Sequence, residues 1–220
     1  MIRLSERLNA ILDVCETNDG IIADIGCDHG KLICVAVLSG RCEKGVGVDI
    51  SGFSLRKAVE YAEQCGISDR IDFFEGDGFS VIPYPVDTAI IAGMGGIEIT
   101  HILSQPHQAK KYVLSPHQDS HILRRFMAEK GFCAEKDFVI EDKNKFYPII
   151  VCKKGTCDYV GEEFYLGKNY PPRPDYEKRN EKRLAYLRNI AKGFASSDNA
   201  SEEIKEELEA LSLWEKSKTL

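Results

Sequence analysis

The sequence predicts an α/β fold. A mostly parallel sheet of seven strands is covered by helices, ends in an antiparallel hairpin, and is followed by a separate pair of helices. Three observations predict it. Strand-like and helix-like segments alternate over the first 153 residues. Two strand-like runs, 137–141 and 147–152, then follow each other with no helix between them. Beyond residue 175 the pattern is helical, with apolar residues at three- and four-residue steps.

The elements follow in chain order. A helix over 3–16 places Leu4, Leu8, Ile11 and Leu12 on one face. Apolar runs at 21–25, 45–50, 71–74, 86–92 and 111–115 read as strands, and the segments 30–39, 53–65, 96–104 and 118–130 carry helical periodicity. Pro116 ends the fifth strand, with Asp119 or Ser120 as the cap of the next helix. The last two strands join through Asp142-Lys143-Asn144-Lys145, which fits a hairpin. Seven strands ending this way form a Rossmann-like arrangement. Tyr170-Pro171-Pro172-Arg173-Pro174 reads as a stiff extended linker, because proline fixes φ and disfavours helix before it. Helices over 175–194 (Leu184, Leu187, Ala191, Phe194) and 200–216 (Ile204, Leu208, Leu211, Trp214) are joined by a turn at Ser196-Ser197-Asp198-Asn199. Such amphipathic helices are expected to pair antiparallel in a coiled-coil-like hairpin.

A chain of 220 residues, 43% of them apolar, suits one α/β domain with a small appendage. It shows no signal-peptide run and no membrane-spanning stretch, so a cytoplasmic protein is expected. The eight cysteines lack C-x-x-C spacing and are expected to be small buried hydrophobes. The net charge of −6 is uneven: −6 over 1–150, +4 over 151–193 and −4 over 194–220. A local basic block keeps a polyanionic partner open despite the negative total, a solvated helix face being the plainer reading.

The run Ala23-Asp24-Ile25-Gly26-Cys27-Asp28-His29-Gly30 follows the apolar Ile21-Ile22 and precedes a helix. Strand, glycine turn and helix in that order form the usual cradle for a nucleotide-like cofactor. Asp28 stands where the dinucleotide fingerprint has its second glycine, and its carboxylate would repel a phosphate. A cofactor without phosphate and with a positive centre fits better. S-adenosylmethionine is such a cofactor, which points to methyl transfer rather than hydride transfer. Gly26 and Gly30 let the backbone turn close to its methionine end, and Asp24 can accept from its ammonium. Asp49, with Ile50 beside it, follows Asp24 by 25 residues and matches the acid that binds a ribose diol, or else caps a helix. Asp77 and Gly78 in Glu75-Gly76-Asp77-Gly78 suit the exocyclic amine of an adenine, though Asp-Gly is also a common turn. In Ile91-Ala92-Gly93-Met94-Gly95-Gly96, backbone groups rather than side chains would face the acceptor. His29 can position substrate, move a proton or hold structure. His117 and His121 lack a third ligand nearby, so no metal is expected.

Ser5-x-Arg7-Leu8, Asp24-Ile25-Gly26-x-Asp28-His29, Gly76-Asp77-Gly78, Ala92-Gly93-Met94-Gly95-Gly96, Leu123-Arg124-Arg125 and Phe146-Tyr147-x-Ile149-Ile150 together resemble the bacterial tRNA adenine-22 N1-methyltransferases. The resemblance covers essentially the whole chain. Gly30-Lys31 and Ser115-Pro116-His117-Gln118 differ from the family pattern. The resemblance implies a methyltransferase domain over 1–155 that binds S-adenosylmethionine, a linker over 156–174 and a helical domain over 175–220. It implies cofactor contacts from Asp24, Gly26, Asp28, Gly30, Asp49, Ile50, Asp77, Gly78 and Gly93, and catalysis by Asp28, His29, Gly93, Met94 and Gly95. The implied partner is tRNA, gripped through phosphates by Arg173, Lys178, Arg179, Lys182, Arg183, Arg188 and Lys192. No metal or membrane partner is implied. Another methyl acceptor, a non-catalytic RNA-binding protein, and a nicotinamide-dependent oxidoreductase disfavoured by Asp28 are the competing readings. The apolar helix stripes leave oligomeric state open, with a monomer preferred.

Overall fold

The structure, a computed structural model, describes residues 3–15, 20–106, 109–156, 159–194 and 201–218. Its centre is one seven-stranded sheet. The strands are β1 (Ile21–Ile25), β2 (Lys44–Asp49), β3 (Ile71–Glu75), β4 (Val86–Ala92), β5 (Ala109–Ser115), β6 (Phe132–Asp142) and β7 (Lys145–Lys154). They lie in the order β3-β2-β1-β4-β5-β7-β6. The pairs among β1 to β5 are parallel, and β7 runs antiparallel to both β5 and β6.

Central strands are buried on both faces, which is why they read as unbroken apolar runs such as Thr88–Ile91. One face packs under α1 (Glu6–Asp13), α2 (Lys31–Leu38) and α3 (Gly52–Gln64), with Ile11, Ile33, Ile90 and Val113 in a common cluster. The other packs under α4 (Gly96–Ser104) and α5 (Ser120–Lys130), around Ile25, Ile99, Leu114 and Leu123. Strand order reverses between β1 and β4, and ligands of such folds bind beyond the carboxyl ends of the strands at that point.

Two elements depart from expectation. Strand β6 begins at Phe132 rather than 137, because Glu135 and Lys136 are exposed and the ladder shifts register between Ala134 and Lys136. A polar, irregular strand end carries no period-two signal. Asp119 does hold the cap position of α5, but its backbone is left-handed (φ 55°) and its side chain makes no capping bond.

The stretch expected as a linker is packed. Tyr159 and Leu166 are buried around the short helix α6 (Glu163–Leu166), and Tyr170 exchanges two backbone hydrogen bonds with Asp137. The fastening is ionic. Arg124, wholly buried, donates to both oxygens of Asp137 at 2.8 and 3.0 Å and to the carbonyls of Phe164 and Tyr165 at 3.1 and 3.3 Å. Tyr159 donates its hydroxyl to the same aspartate at 2.7 Å. Two helices follow, α7 (Pro174–Phe194) and α8 (Glu202–Ser217), packed through Leu184, Leu187, Ala210 and Leu211. The turn expected at 196–199 lies outside the described residues. Among the described residues no helix is long and apolar enough to cross a membrane, and the seven cysteines are free and buried or half-buried.

Candidate active site

A cleft of about 960 Å³ opens at the carboxyl ends of β1, β2 and β4, where strand order reverses. Asp24, Gly26, Asp28, Asp49, Ile50, Asp77, Gly78 and Gly93 all line it, as do His29 and Met94. The β1 loop is drawn against β2: the N–H groups of Gly26 and Cys27 both donate to the Val48 carbonyl. Asp49 completes the turn, accepting from the Asp28 N–H on Oδ2 and from the Ser51 N–H on Oδ1, each at 2.9 Å. Each of its oxygens keeps a further lone pair, so a diol can still be held in bidentate fashion.

Asp24 is buried beneath this loop and makes no side-chain hydrogen bond among the described residues. Burial pushes its pKa up to about 7, and the charges of Asp49 and Asp28 push the same way. Three carboxylates thus converge with no cation paired to Asp24. Such a site repels phosphate and attracts a cationic ligand, so its residues fit a sulfonium- and ammonium-bearing nucleoside. Asp28 itself is exposed, with its Oδ1 accepting from the Ser54 hydroxyl at 3.3 Å and lying 3.4 Å from His29 Nδ1. Across the mouth, Asp77 Oδ2 lies 3.4 Å from His101 Nε2.

Two predicted glycines lie off the cleft. Gly30 (φ 66°) is buried at the start of α2, where a Cβ would come 2.8 Å from the Ala58 side chain of α3. It sets the close packing of two helices, and its neighbours His29 and Lys31 line the cleft on either side of it. Gly95 precedes α4 behind the wall and is likewise not among the lining groups. The wall itself is Gly93 and Met94. A Cβ on Gly93 would meet nothing within 4 Å, and Met94 lies over the β1 turn, its Cε 2.8 Å from where a Gly26 Cβ would sit. This loop is zipped to the β5–α5 loop: the His117 N–H donates to the Met94 carbonyl and the Gly96 N–H to the Gln118 carbonyl, both at 2.9 Å. A Cβ on Gly96 would come 2.2 Å from the Asp119 carbonyl oxygen. That approach accounts for a second consecutive glycine in the motif.

Sequence reasoning missed the role of Arg7. From α1 it reaches the cleft, donating to Ser115 Oγ and to the Ser115 carbonyl at 3.0 Å each, and lying 2.7 Å from His117 Nε2. Its guanidinium also covers the Tyr147 ring at 4.6 Å. Burial, then the neighbouring Arg7 charge, lowers the His117 pKa. The signal was present: Arg7 lies on the apolar stripe of α1, three residues after Leu4 and four before Ile11. His121 points elsewhere, stacking on Tyr165 and pairing with Glu203 at 3.2 Å. Among the described residues no cluster of three His, Cys, Asp or Glu could hold a metal.

The predicted basic grip on α7 is largely self-neutralised. Lys178 and Lys182 pair with Glu141, Arg183 pairs with both oxygens of Glu207, and Arg188 with both of Glu215. Arg179 is half-buried and donates to the Leu166 carbonyl, and burial lowers its pKa. That bond ties it to the packed segment before α7. Arg173 is exposed over the Phe138 ring, and the side chain of Lys192 lies outside the described ones.

A doubly wound sheet with an acidic cleft at its switch point and a carboxylate at the end of β2 is the arrangement of nucleoside-cofactor transferases. The chain belongs to the methyltransferase-domain family, whose model matches residues 4–150. It is 26% identical over 208 residues to the tRNA (adenine(22)-N(1))-methyltransferase of Bacillus subtilis (strain 168), covering 92% of this chain and 86% of that protein. In fold it is similar to M. capricolum TrmK, solved in complex with S-adenosyl-homocysteine: TM-score 0.86, 22% identity, 96% of this chain and 97% of that one. The B. subtilis m1A22 tRNA methyltransferase TrmK gives a TM-score of 0.80 at 23% identity, over 97% and 96% of the two chains.

Proposed function

We propose that this methyltransferase transfers a methyl group from S-adenosylmethionine to N1 of adenine 22 in tRNA, in the cytoplasm. One observation carries the reading. The chain is similar along 92% of its length to an enzyme named for that reaction, and its acidic cleft suits the cofactor. Asp49 would take the ribose diol, Asp24 and the Gly26 turn the ammonium end, Asp77 beside Gly78 the adenine amine, and Ile50 the adenine ring. When bound, the cofactor supplies an electrophilic methyl group on a sulfonium.

The remaining work falls to the chain. Adenine N1 has a lone pair in the ring plane and needs no base to become a nucleophile. The protein must align it and accommodate the positive charge that the base acquires. N1 lies on the pairing edge, so the target base must be turned out of any helix. Gly93, without a side chain, leaves room for that edge, while the Met94 backbone supports the wall and Gly95 starts the helix behind it. Asp28 accepts the proton that the exocyclic amine releases, with His29 beside it as a relay. Residues 1–155 carry the chemistry, and 156–174 join them to the helical unit over 175–220.

Purified protein is incubated with labelled S-adenosylmethionine and unmodified tRNA transcripts carrying adenine or guanine at position 22. Label entering only the adenine transcript is expected. Label in both would refute the site, and label in neither would refute the tRNA reading.

A further inference from the structure

We infer that the RNA backbone is held at the cleft rim by Lys31 at the start of α2 together with Arg56 and Lys57 beside Phe53 on α3. The inference rests on the reading that the acceptor is tRNA.

It begins with charge that cancels. Helix α7, which carries six of the ten cations of the +4 block, packs against α8 from the −4 block. Of the five α7 cations with described side chains, four are paired with carboxylates and the fifth, Arg179, is tied to a backbone carbonyl. Nonspecific RNA affinity follows the counterions that free cationic surface releases from phosphates. A self-neutralised hairpin offers little of it.

Lys31, Arg56 and Lys57 differ in kind. All three are exposed, and none has an ion pair or hydrogen bond among the described residues. Lys31 lines the cleft itself. Helix α3 starts three residues after β2 ends, so its first turns stand at the cleft mouth. Arg56 also borders a shallow groove with Glu60, Glu63 and Glu75, none of which forms an ion pair with it. The start of α2 lies on the same edge, and the two helix dipoles add to the positive potential of the cations.

Phe53 supplies an independent observation. It is 60% exposed, three residues after the 75% exposed Ile50 that lines the cleft. Lys57 Nζ lies 4.3 Å and Arg56 Cζ 5.9 Å from its ring centroid. An exposed aromatic ring among unpaired cations is the combination that single-stranded nucleic acid uses, the ring for base stacking and the cations for phosphates. A strand whose target base is turned into the cleft past Gly93 must carry its flanking phosphates over this rim.

The test compares two variants of the full-length enzyme by tRNA binding across a salt series, with cofactor affinity measured in each as a check of folding. In Lys31→Gln/Arg56→Gln/Lys57→Gln the slope of log Kd against log salt should fall by about two to three. In Lys178→Gln/Lys182→Gln/Arg183→Gln it should stay at the wild-type value. A third variant, Phe53→Ala, should weaken binding roughly tenfold with the slope unchanged, since stacking releases no counterions. An unchanged slope in the rim variant beside a reduced one in the α7 variant would overturn the inference and leave the tRNA reading standing. Wild-type enzyme that binds no tRNA at any salt would overturn both.

Discussion

Asp24→Asn separates what the buried carboxylate costs the fold from what it does for the ligand. Asp24 is buried, and its pKa is raised from an ordinary 3.8 to about 7, first by burial and then by Asp49 and Asp28. The sign follows from linkage. A group whose folded pKa lies above its unfolded one contributes stability that is complete below about 3.8 and lost as pH rises through about 7. At about 1.4 kcal/mol per pH unit, ionising Asp24 in the folded, ligand-free protein costs on the order of 4 kcal/mol by pH 8. Asp24→Asn cannot ionise, so it should be the more stable protein at pH 8 by a few kcal/mol and differ little at pH 4. An amide without a partner would reduce that gain by ~1–3 kcal/mol. Cofactor binding should move the other way, because the ionised carboxylate balances the ligand's positive charge: affinity for S-adenosylmethionine should fall about 100-fold, and its rise with pH through about 7 should vanish. Urea unfolding at pH 4 to 8 and calorimetric titration measure both. A stability difference that stays flat with pH, or unchanged cofactor affinity, would refute the reasoning.

Asp49→Asn should lower cofactor affinity about tenfold or more, since the amide loses one acceptor of the diol and one backbone acceptance; titration with S-adenosylmethionine reads this directly. Gly96→Ala should destabilise by ~1–3 kcal/mol and cut turnover, because the added Cβ meets the Asp119 carbonyl at 2.2 Å; thermal unfolding and single-turnover rates check it. Arg124→Ala leaves Asp137 buried without its partner and should cost about 3–5 kcal/mol, while Arg124→Met with Asp137→Leu should recover much of that in chemical denaturation.

Much of the fold was legible because its signals are local. The order of strands and helices, the terminal hairpin and the acids after β1 and β2 each follow from periodicity or turn chemistry over a few residues. The residues that convergence alone defines were not. Arg7, the Ser115–His117 stretch and Tyr147 come from three separate places in the chain and meet only once the sheet is assembled. Arg124 and Asp137 likewise lie on different elements, although an arginine on the apolar stripe of α5 beside Leu123 and Met127 was a readable sign. Gly30 was ambiguous, because a glycine in a cofactor loop and a glycine at a helix crossing look the same in sequence. The charge of α7 was ambiguous for a related reason. Local charge in sequence becomes surface potential only after the acidic α8 and Glu141 have taken their partners.

Reverse transcription of the reacted tRNA tests the central claim most directly. A methyl group on N1 blocks the pairing edge of adenine, so primer extension should stop opposite position 22, and only when protein, S-adenosylmethionine and an adenine-22 transcript are all present. Incorporated label with full read-through would place the methyl group off that edge and contradict the account.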